Sequence, residues 1–189
     1  GTITVTSNVF DKIEPYFVED LCIAPPWDRL KKEDLLKKED RLNEETKSKV
    51  REILLDPGVV FGTGRHQTTE DCLTLIHRLC TREKIGTVLD IGTGTGLLAL
   101  GAAALGCDRV LACDFNLLAV KTTLKNIRLN RFEAQILAFQ AKGEEVICLP
   151  CDLLVANIHY DVMHHLIEHP SFLEKKCFIL SGLVNSETT

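Results

Sequence analysis

Val88-Leu89-Asp90-Ile91-Gly92-Thr93-Gly94-Thr95-Gly96 decides the reading of this chain: an apolar run carrying one acidic residue, then three glycines at alternate positions. Val88, Leu89 and Ile91 read as a buried parallel strand, and the almost wholly aliphatic stretch Leu97 to Leu105 as the helix that follows. Strand, glycine turn and helix is the order in which backbone comes closest to a bound cofactor, because the first amides of the helix are unpaired and face the ligand. Gly92, Gly94 and Gly96 clear Cβ atoms from that approach and permit positive φ. Close packing of helix on strand is the competing demand for glycine here.

Working outward, the spacing is not that of a dinucleotide fold, since Leu97 stands where a third glycine of G-x-G-x-x-G belongs, and no lysine makes it a phosphate loop. A second strand, Arg109 to Cys113, ends at Asp114. An acidic residue at a neighbouring strand tip suits a two-pronged grip on ribose hydroxyls, and it equally suits a helix N-cap. The remaining pattern predicts strands at 88–91, 109–113, 136–139, 151–157 and 176–181, with helices at 97–105, 116–129 and 160–168. That alternation implies an α/β fold, a doubly wound and mostly parallel sheet whose carboxyl edge holds the ligand. Upstream, Thr69 to Cys80 is helical, with Cys72, Leu73, Ile76, Leu79 and Cys80 on one stripe and Glu70, Thr74, His77 and Arg78 opposite. Gly1 to Trp27 reads as extended and Asp28 to Glu52 as charge-rich and helical in part. The expected division is a leading region at 1–56 and a cofactor-binding domain at 57–189.

Composition narrows the classes. A chain of 189 residues is long enough for one domain with a substantial core. The net charge of −5, with basic residues interleaved among acidic ones, gives no nucleic-acid footprint. No apolar run reaches membrane-span length, and the start lacks a signal-peptide pattern. The eight cysteines fall in strand-like and helix-like segments, as buried thiols of a reducing cytoplasm do.

Asp90 to Gly96 followed by Asp114 resembles the Rossmann-like (class I) S-adenosyl-L-methionine-dependent methyltransferases. Leu55-Asp56-Pro57-Gly58-Val59-Val60-Phe61-Gly62-Thr63-Gly64-Arg65-His66-Gln67-Thr68-Thr69 closely resembles the signature of the PrmA branch, which methylates amines of a large-subunit ribosomal protein. Asp152-Leu153-Leu154-Val155-Ala156-Asn157-Ile158 matches that branch's fourth-strand motif, and with Ala24-Pro25-Pro26-Trp27 the resemblance spans Ile23 to Leu183. It implies S-adenosyl-L-methionine held by Phe61, Thr63, Thr69, Asp90, Gly92, Thr93, Gly94, Gly96, Asp114, Asn116 and Asn157. It also implies a protein substrate, methylated at lysine or N-terminal amines, and a monomeric cytoplasmic enzyme with no membrane or nucleic-acid partner. By the same comparison a small docking module and the last, antiparallel strands of the sheet lie outside these residues. Three places depart from the pattern: Arg29 to Lys49, Asn116-Leu117 in place of Asp-Pro, and Ile158-His159 in place of two prolines.

Asn157 is the candidate catalytic residue, since a carbonyl at a strand tip can accept from a substrate amine and aim its lone pair. A buried amide that satisfies local backbone is the alternative. His66, His159 and Tyr160 are weak candidates for a base, and Thr68 or Thr69 also suits a helix cap. Cys148, Cys151, His164 and His169 meet a zinc spacing, but the apolar strand running between them argues against a finger, so no metal is expected. Two rival functions remain open: N-methylation of adenine or glutamine amides, and a cofactor-binding module without catalysis.

Overall fold

The computed structural model describes residues 14–28, 49–58 and 66–182. Phe61, Thr63 and most of the Arg29 to Lys49 segment lie outside these residues. The central sheet is built from β4 (Thr87–Ile91), β5 (Arg109–Asp114), β6 (Ile136–Gln140), β7 (Leu153–Asn157) and β8 (Cys177–Ser181). Its order is β6-β5-β4-β7-β8 and every pairing is parallel. Among the described residues five α-helices and one 3-10 turn (Pro170–Phe172) connect or flank the strands: α1 (Gln67–Arg82), α2 (Leu97–Ala104), α3 (Leu117–Asn130), the single turn α4 (Gly143–Val146) and α5 (Tyr160–Glu168). The expected doubly wound α/β architecture is what the chain adopts. The strand order reverses direction between β4 and β7, which opens a crevice at that switch point.

Period-two alternation explains the layering. Val88, Val110, Ala112, Leu153 and Val155 belong to the core shared with α1 and α2, whereas Leu89, Ile91, Cys113, Leu154 and Ala156 pack with Met163 and Leu166 of α5 on the other face. Both faces are covered, so the central strands read as continuous apolar runs. The α2 sequence Leu-Leu-Ala-Leu-Gly-Ala-Ala-Ala is buried over its first seven residues. Gly101 lets α2 approach α1, since a Cβ there would stand 2.6 Å from a Leu73 methyl.

A second sheet has three strands, β1 (Tyr16–Val18), β2 (Leu21–Ala24) and β3 (Arg51–Leu54), with β1 antiparallel and β3 parallel to β2. Here the sequence reading is corrected: Arg51 to Leu54 is a strand, not part of a charged helical stretch. Ile53 and Leu54 are buried while Arg51 and Glu52 are not, so only half of a short strand carries an apolar signal. Leu21, Ile23, Ile53 and Leu55 join the core of α1 and α2, which places this sheet over the helices as a further layer. His77, expected on the solvent face of α1, is instead drawn to Asp20, its Nε2 3.0 Å from Oδ1, and Arg51 pairs with the same carboxylate. The hairpin is thereby pinned to the helix. The α4 turn was not anticipated, and β7 starts at Leu153 because the Asp152 carboxylate accepts from the Gly86 and Thr87 amides.

Two asparagines one turn apart on α3 fix the path of the chain after β3. Asn130 accepts from the Leu54 amide (2.8 Å) and donates to the Leu54 carbonyl (2.7 Å), as a strand neighbour would. Asn126, with no exposed surface, accepts from the Asp56 amide (2.9 Å) and donates to the carbonyls of Asp56 (2.9 Å) and Thr95 (2.8 Å). Asp56 in turn pairs with Lys125 and accepts from the Gly58 amide at 2.9 Å. One carboxamide thus ties the Asp56 segment to the loop after β4. Asn126→Ala is expected to cost about 2–3 kcal/mol, because buried backbone groups lose their partners. Urea unfolding of the variant measures it. A loss below about 0.5 kcal/mol, the range of ordinary surface substitutions, would mean that the brace is incidental.

Candidate functional site

Glycine-loop geometry follows from three anchors. The Gly92 and Thr93 amides donate to the Cys113 carbonyl at 2.9 and 3.0 Å, and the Gly94 amide donates to Asp114 Oδ2 at 3.0 Å. Thr123 of α3 donates to the Gly94 carbonyl at 3.0 Å, and Asn126 holds Thr95. Gly92, Gly94 and Gly96 all have positive φ, at 73°, 58° and 86°. Protein neighbours also constrain two of them: a Cβ on Gly92 would stand 2.2 Å from the Ile158 Cγ2, and one on Gly96 2.8 Å from the Thr123 Cγ2. Packing therefore demands glycine at both ends of the loop, alongside any demand from a ligand. Gly96 caps α2 without a side-chain hydrogen bond, which leaves the first turn of a wholly neutral helix facing the loop.

Below the loop, Asp90 is 1% exposed and Thr93 Oγ1 donates to its Oδ2 at 2.6 Å. Its Oδ1 has no hydrogen-bond partner among the described residues. Burial pushes this carboxyl up to about 6, with Thr93 and then the Ala99 amide pulling the other way. The buried carboxyl therefore meets the first turn of α2 through the Ala99 amide and the glycine loop through Thr93.

The neighbouring tips complete the edge. Asp114 uses both oxygens on backbone, Oδ2 for Gly94 and Oδ1 for the Asn116 amide at 2.9 Å. The N-cap of α3 is Asn116, whose Oδ1 accepts from Leu118 at 2.9 Å. Hence Asp114 is not the cap, and the Asn116 carbonyl oxygen is occupied by capping. At the switch point Asn157 Nδ2 donates to Thr69 Oγ1 at 3.2 Å, across 88 residues of sequence. Thr69 is buried, and the N-cap of α1 is His66, not Thr68 or Thr69. Asn157 and Thr69 therefore meet on one side of the crevice while Asp90, the glycine loop, Asp114 and Asn116 line the other.

Residues that the sequence reading passed over stand at the same edge. Gln140, paired in register with Asp114, donates from Nε2 to the Phe115 carbonyl at 2.9 Å, and the Ala141 amide donates to the Asp114 carbonyl at 3.1 Å. Phe115 itself is 71% exposed, an aromatic ring held at a strand tip in water. The alignment of one strand tip with the next was the signal available for Gln140. Gly182 was missed too: a Cβ there would stand 2.1 Å from the Ile158 carbonyl oxygen, so Gly92 and Gly182 grip the Asn157-Ile158 linker from two sides.

His66 Nδ1 is engaged with the Thr68 hydroxyl at 2.7 Å, and His159 Nδ1 accepts from the Asp161 amide at 3.5 Å. Neither offers that nitrogen to a substrate proton. The zinc-like spacing does not close into a site among the described residues. The ligand atoms that gather within 4.8 Å of one another belong to the exposed His164, His165 and Glu168 of α5. Nor is any helix of the described residues long and apolar enough to cross a membrane.

Residues 8–189 match the family described as Ribosomal protein L11 methyltransferase (PrmA). The ribosomal protein L11 methyltransferase of Alkaliphilus oremlandii (strain OhILAs) is 38% identical over 134 residues, which is 70% of this chain and 42% of that protein. The enzyme of the same description from Bacillus cereus (strain Q1) is 37% identical over 134 residues, with the same two coverages of 70% and 42%. A crystal structure of ribosomal protein L11 methylase from Lactobacillus delbrueckii subsp. bulgaricus superposes with a TM-score of 0.67 at 28% identity, covering 89% of this chain and 80% of that one. The matched stretch thus spans 42% of the length of these two sequence relatives.

The Asp90 environment has a thermodynamic consequence. A carboxyl held at about 6 in the folded chain, against 3.8 ordinarily, keeps its proton longer when folded. Stability is then lost as pH rises from about 4 to about 6, by up to ~3 kcal/mol for a shift of roughly two units. Asn in place of Asp90 removes that charge while keeping an acceptor for Thr93. Asp90→Asn is therefore expected to be more stable than the parent at pH 7, with the gain disappearing near pH 4. Urea unfolding at the two pH values checks this, and a variant less stable at pH 7 would show that the charge is already compensated.

Proposed function

The chain belongs to the ribosomal protein L11 methyltransferase (PrmA) family, and from that premise we propose that it carries the S-adenosyl-L-methionine site and catalytic core of a protein N-methyltransferase acting on amines of ribosomal protein L11. The observation that carries the proposal is the facing pair at the switch point, the glycine loop with its bare Asp90 oxygen on one side and the Thr69-bound Asn157 on the other. Residues and cofactor fit in kind. The Asp90 oxygen suits the ammonium of an amino-acid moiety, which would also offset the burial of its charge. Asp114 retains lone pairs beyond its two backbone bonds, which suits ribose hydroxyls, and Phe115 offers a face for a base. Thr93, Gly94 and Gly96 supply the close backbone, Asn116 its amide nitrogen, and Thr69 with Asn157 the far wall. Phe61 and Thr63 belong to the proposed cofactor set by the family signature alone. A cytoplasmic setting is part of the reading, supported by eight cysteines that are all free thiols. A monomer is part of it as well.

The cofactor, when bound, supplies a methyl already activated on a sulfonium. The chain's own task is then alignment and exclusion of water. Because Asn157 donates through Nδ2 to Thr69, its carbonyl oxygen is the group left to accept an N–H from the acceptor amine. That hydrogen bond aims the nitrogen lone pair into the crevice. The amine must arrive neutral, and a lysine near ~10.4 has to shed a proton first. Nδ1 of His66 and of His159 is engaged, so a role for either as base falls to Nε2, and Tyr160 is a phenol exposed to solvent.

Calorimetric titration with S-adenosyl-L-methionine and transfer of a tritiated methyl to protein in a ribosome-containing lysate test the two halves separately. Binding and a labelled L11 band are expected. Binding without transfer favours a non-catalytic module, and no binding removes the reading altogether. Asp114→Ala is expected to weaken cofactor binding at least tenfold, since charge-assisted hydrogen bonds of about 1.5–3 kcal/mol are lost. Asn157→Ala is expected to reduce transfer by more than it weakens binding, the mark of an interaction that matters most in the transition state. Equal losses in both would make Asn157 a wall of the cofactor site and nothing more.

A further inference from the structure

Away from the crevice, at the amino-terminal edge of the sheet, two cysteines distant in sequence meet. Cys80 sits in the last turn of α1 and Cys107 just before β5, 27 residues on, and their sulfurs lie 3.7 Å apart. Cys107 is 1% exposed, while Cys80 is partly open to solvent. Both line an open cavity of about 340 Å³ together with Arg82, Lys84, Ile85 and Gly106. We infer that Cys80 and Cys107 are a reversible thiol–disulfide pair, a modification site that a peroxide-class oxidant reaches through this cavity.

Several observations support the assignment. The pair is the place where sulfurs approach, in contrast to Cys148 and Cys151, whose spacing drew attention in the sequence. The two thiols share one hydrogen bond, which either sulfur could donate, and that bond together with burial pushes the Cys107 thiol up. Cys80, the more exposed of the two, is the thiol an oxidant reaches first, and the buried Cys107 resolves. Closing 3.7 Å to a bond of ~2.05 Å requires a modest shift. Gly106, beside Cys107, has nothing within 4 Å of the place where its Cβ would stand, so no side chain of that residue blocks the approach.

The chemistry balances without any further reagent. The Cys80 thiolate attacks one peroxide oxygen, the O–O bond breaks, and the departing hydroxide takes a proton to leave as water. The Cys107 sulfur then attacks the Cys80 sulfenic sulfur and the S–O bond breaks. Its thiol proton goes to the departing hydroxide, which leaves as a second water. Two thiols have lost two electrons and two protons, and a dithiol reductant reverses the change. The ring so closed contains β4, the glycine loop and α2 in their entirety, so the bond clasps both ends of the unit that forms one wall of the crevice.

The test uses the full chain and needs neither cofactor nor substrate. It is treated with hydrogen peroxide, quenched with N-ethylmaleimide under denaturing conditions, and mapped by peptide mass spectrometry. A Cys80–Cys107 cross-linked peptide, two hydrogens lighter than the sum of its parts and released by dithiothreitol, is expected as the main product. Oxidation is also expected to raise the melting midpoint of the parent chain, with no rise in Cys107→Ser. Full alkylation of both thiols at a dose that has already oxidised the exposed Cys148 overturns the inference, as does a cross-link joining either one to another cysteine. Because the map is made on the parent chain, poor folding of the serine variant leaves the decision intact.

Discussion

Asn126 is the interaction on which the crevice depends. Its carboxamide has one acceptor and two donor hydrogens in use, and the partners belong to two segments that share no secondary structure: the turn at Asp56 and the loop at Thr95. A buried amide is costly to place and cheap to keep once every group is satisfied, so this residue behaves as a rivet. Asn130, Lys125 and Thr122 extend the contact along α3, with Gly58 packed against Thr122 where a Cβ would be only 3.2 Å away. The position of the chain entering residues 59–65 is thereby set from α3, a helix on the far side of the glycine loop from α1.

How the site is distributed between local and distant constraints explains what could be read from the residues alone. The five strands of the main sheet were legible because burial on both faces leaves apolar runs, and their boundaries fell within two residues of the observed ones. The grouping of the glycine loop, Asp114 and Asn157 on one edge followed from parallel topology, which puts every strand tip on the same side. Illegible were features in which a polar residue answers to a partner far along the chain. Nothing in Arg51-Glu52-Ile53-Leu54 announces a strand until Leu21 to Ala24 is beside it. Likewise the sequence offered Asp114 as a ribose ligand or a helix cap, and the structure shows it accepting from two backbone amides, Gly94 and Asn116. His66, His159 and His169 all cap helices through Nδ1, a duty that propensity assigns to serine, threonine, aspartate and asparagine first.

The crevice also concentrates the unfavourable terms of the fold. A buried carboxyl and an exposed phenylalanine stand within one strand-tip cluster. The main core, by contrast, is built chiefly of aliphatic side chains. Both costs are of a kind that a bound molecule can offset.

The separation of Asn126 from Asp56 by 70 residues bears on the order in which the molecule assembles. Closing so long a loop is entropically unfavourable until β4, β5 and the helices that follow each of them, α2 and α3, already exist to receive it. The three-stranded sheet and the turn after it therefore dock onto a preformed scaffold, as a late event in folding. The crevice thus joins a sheet built from neighbouring strands to a flank held by a contact of long sequence separation.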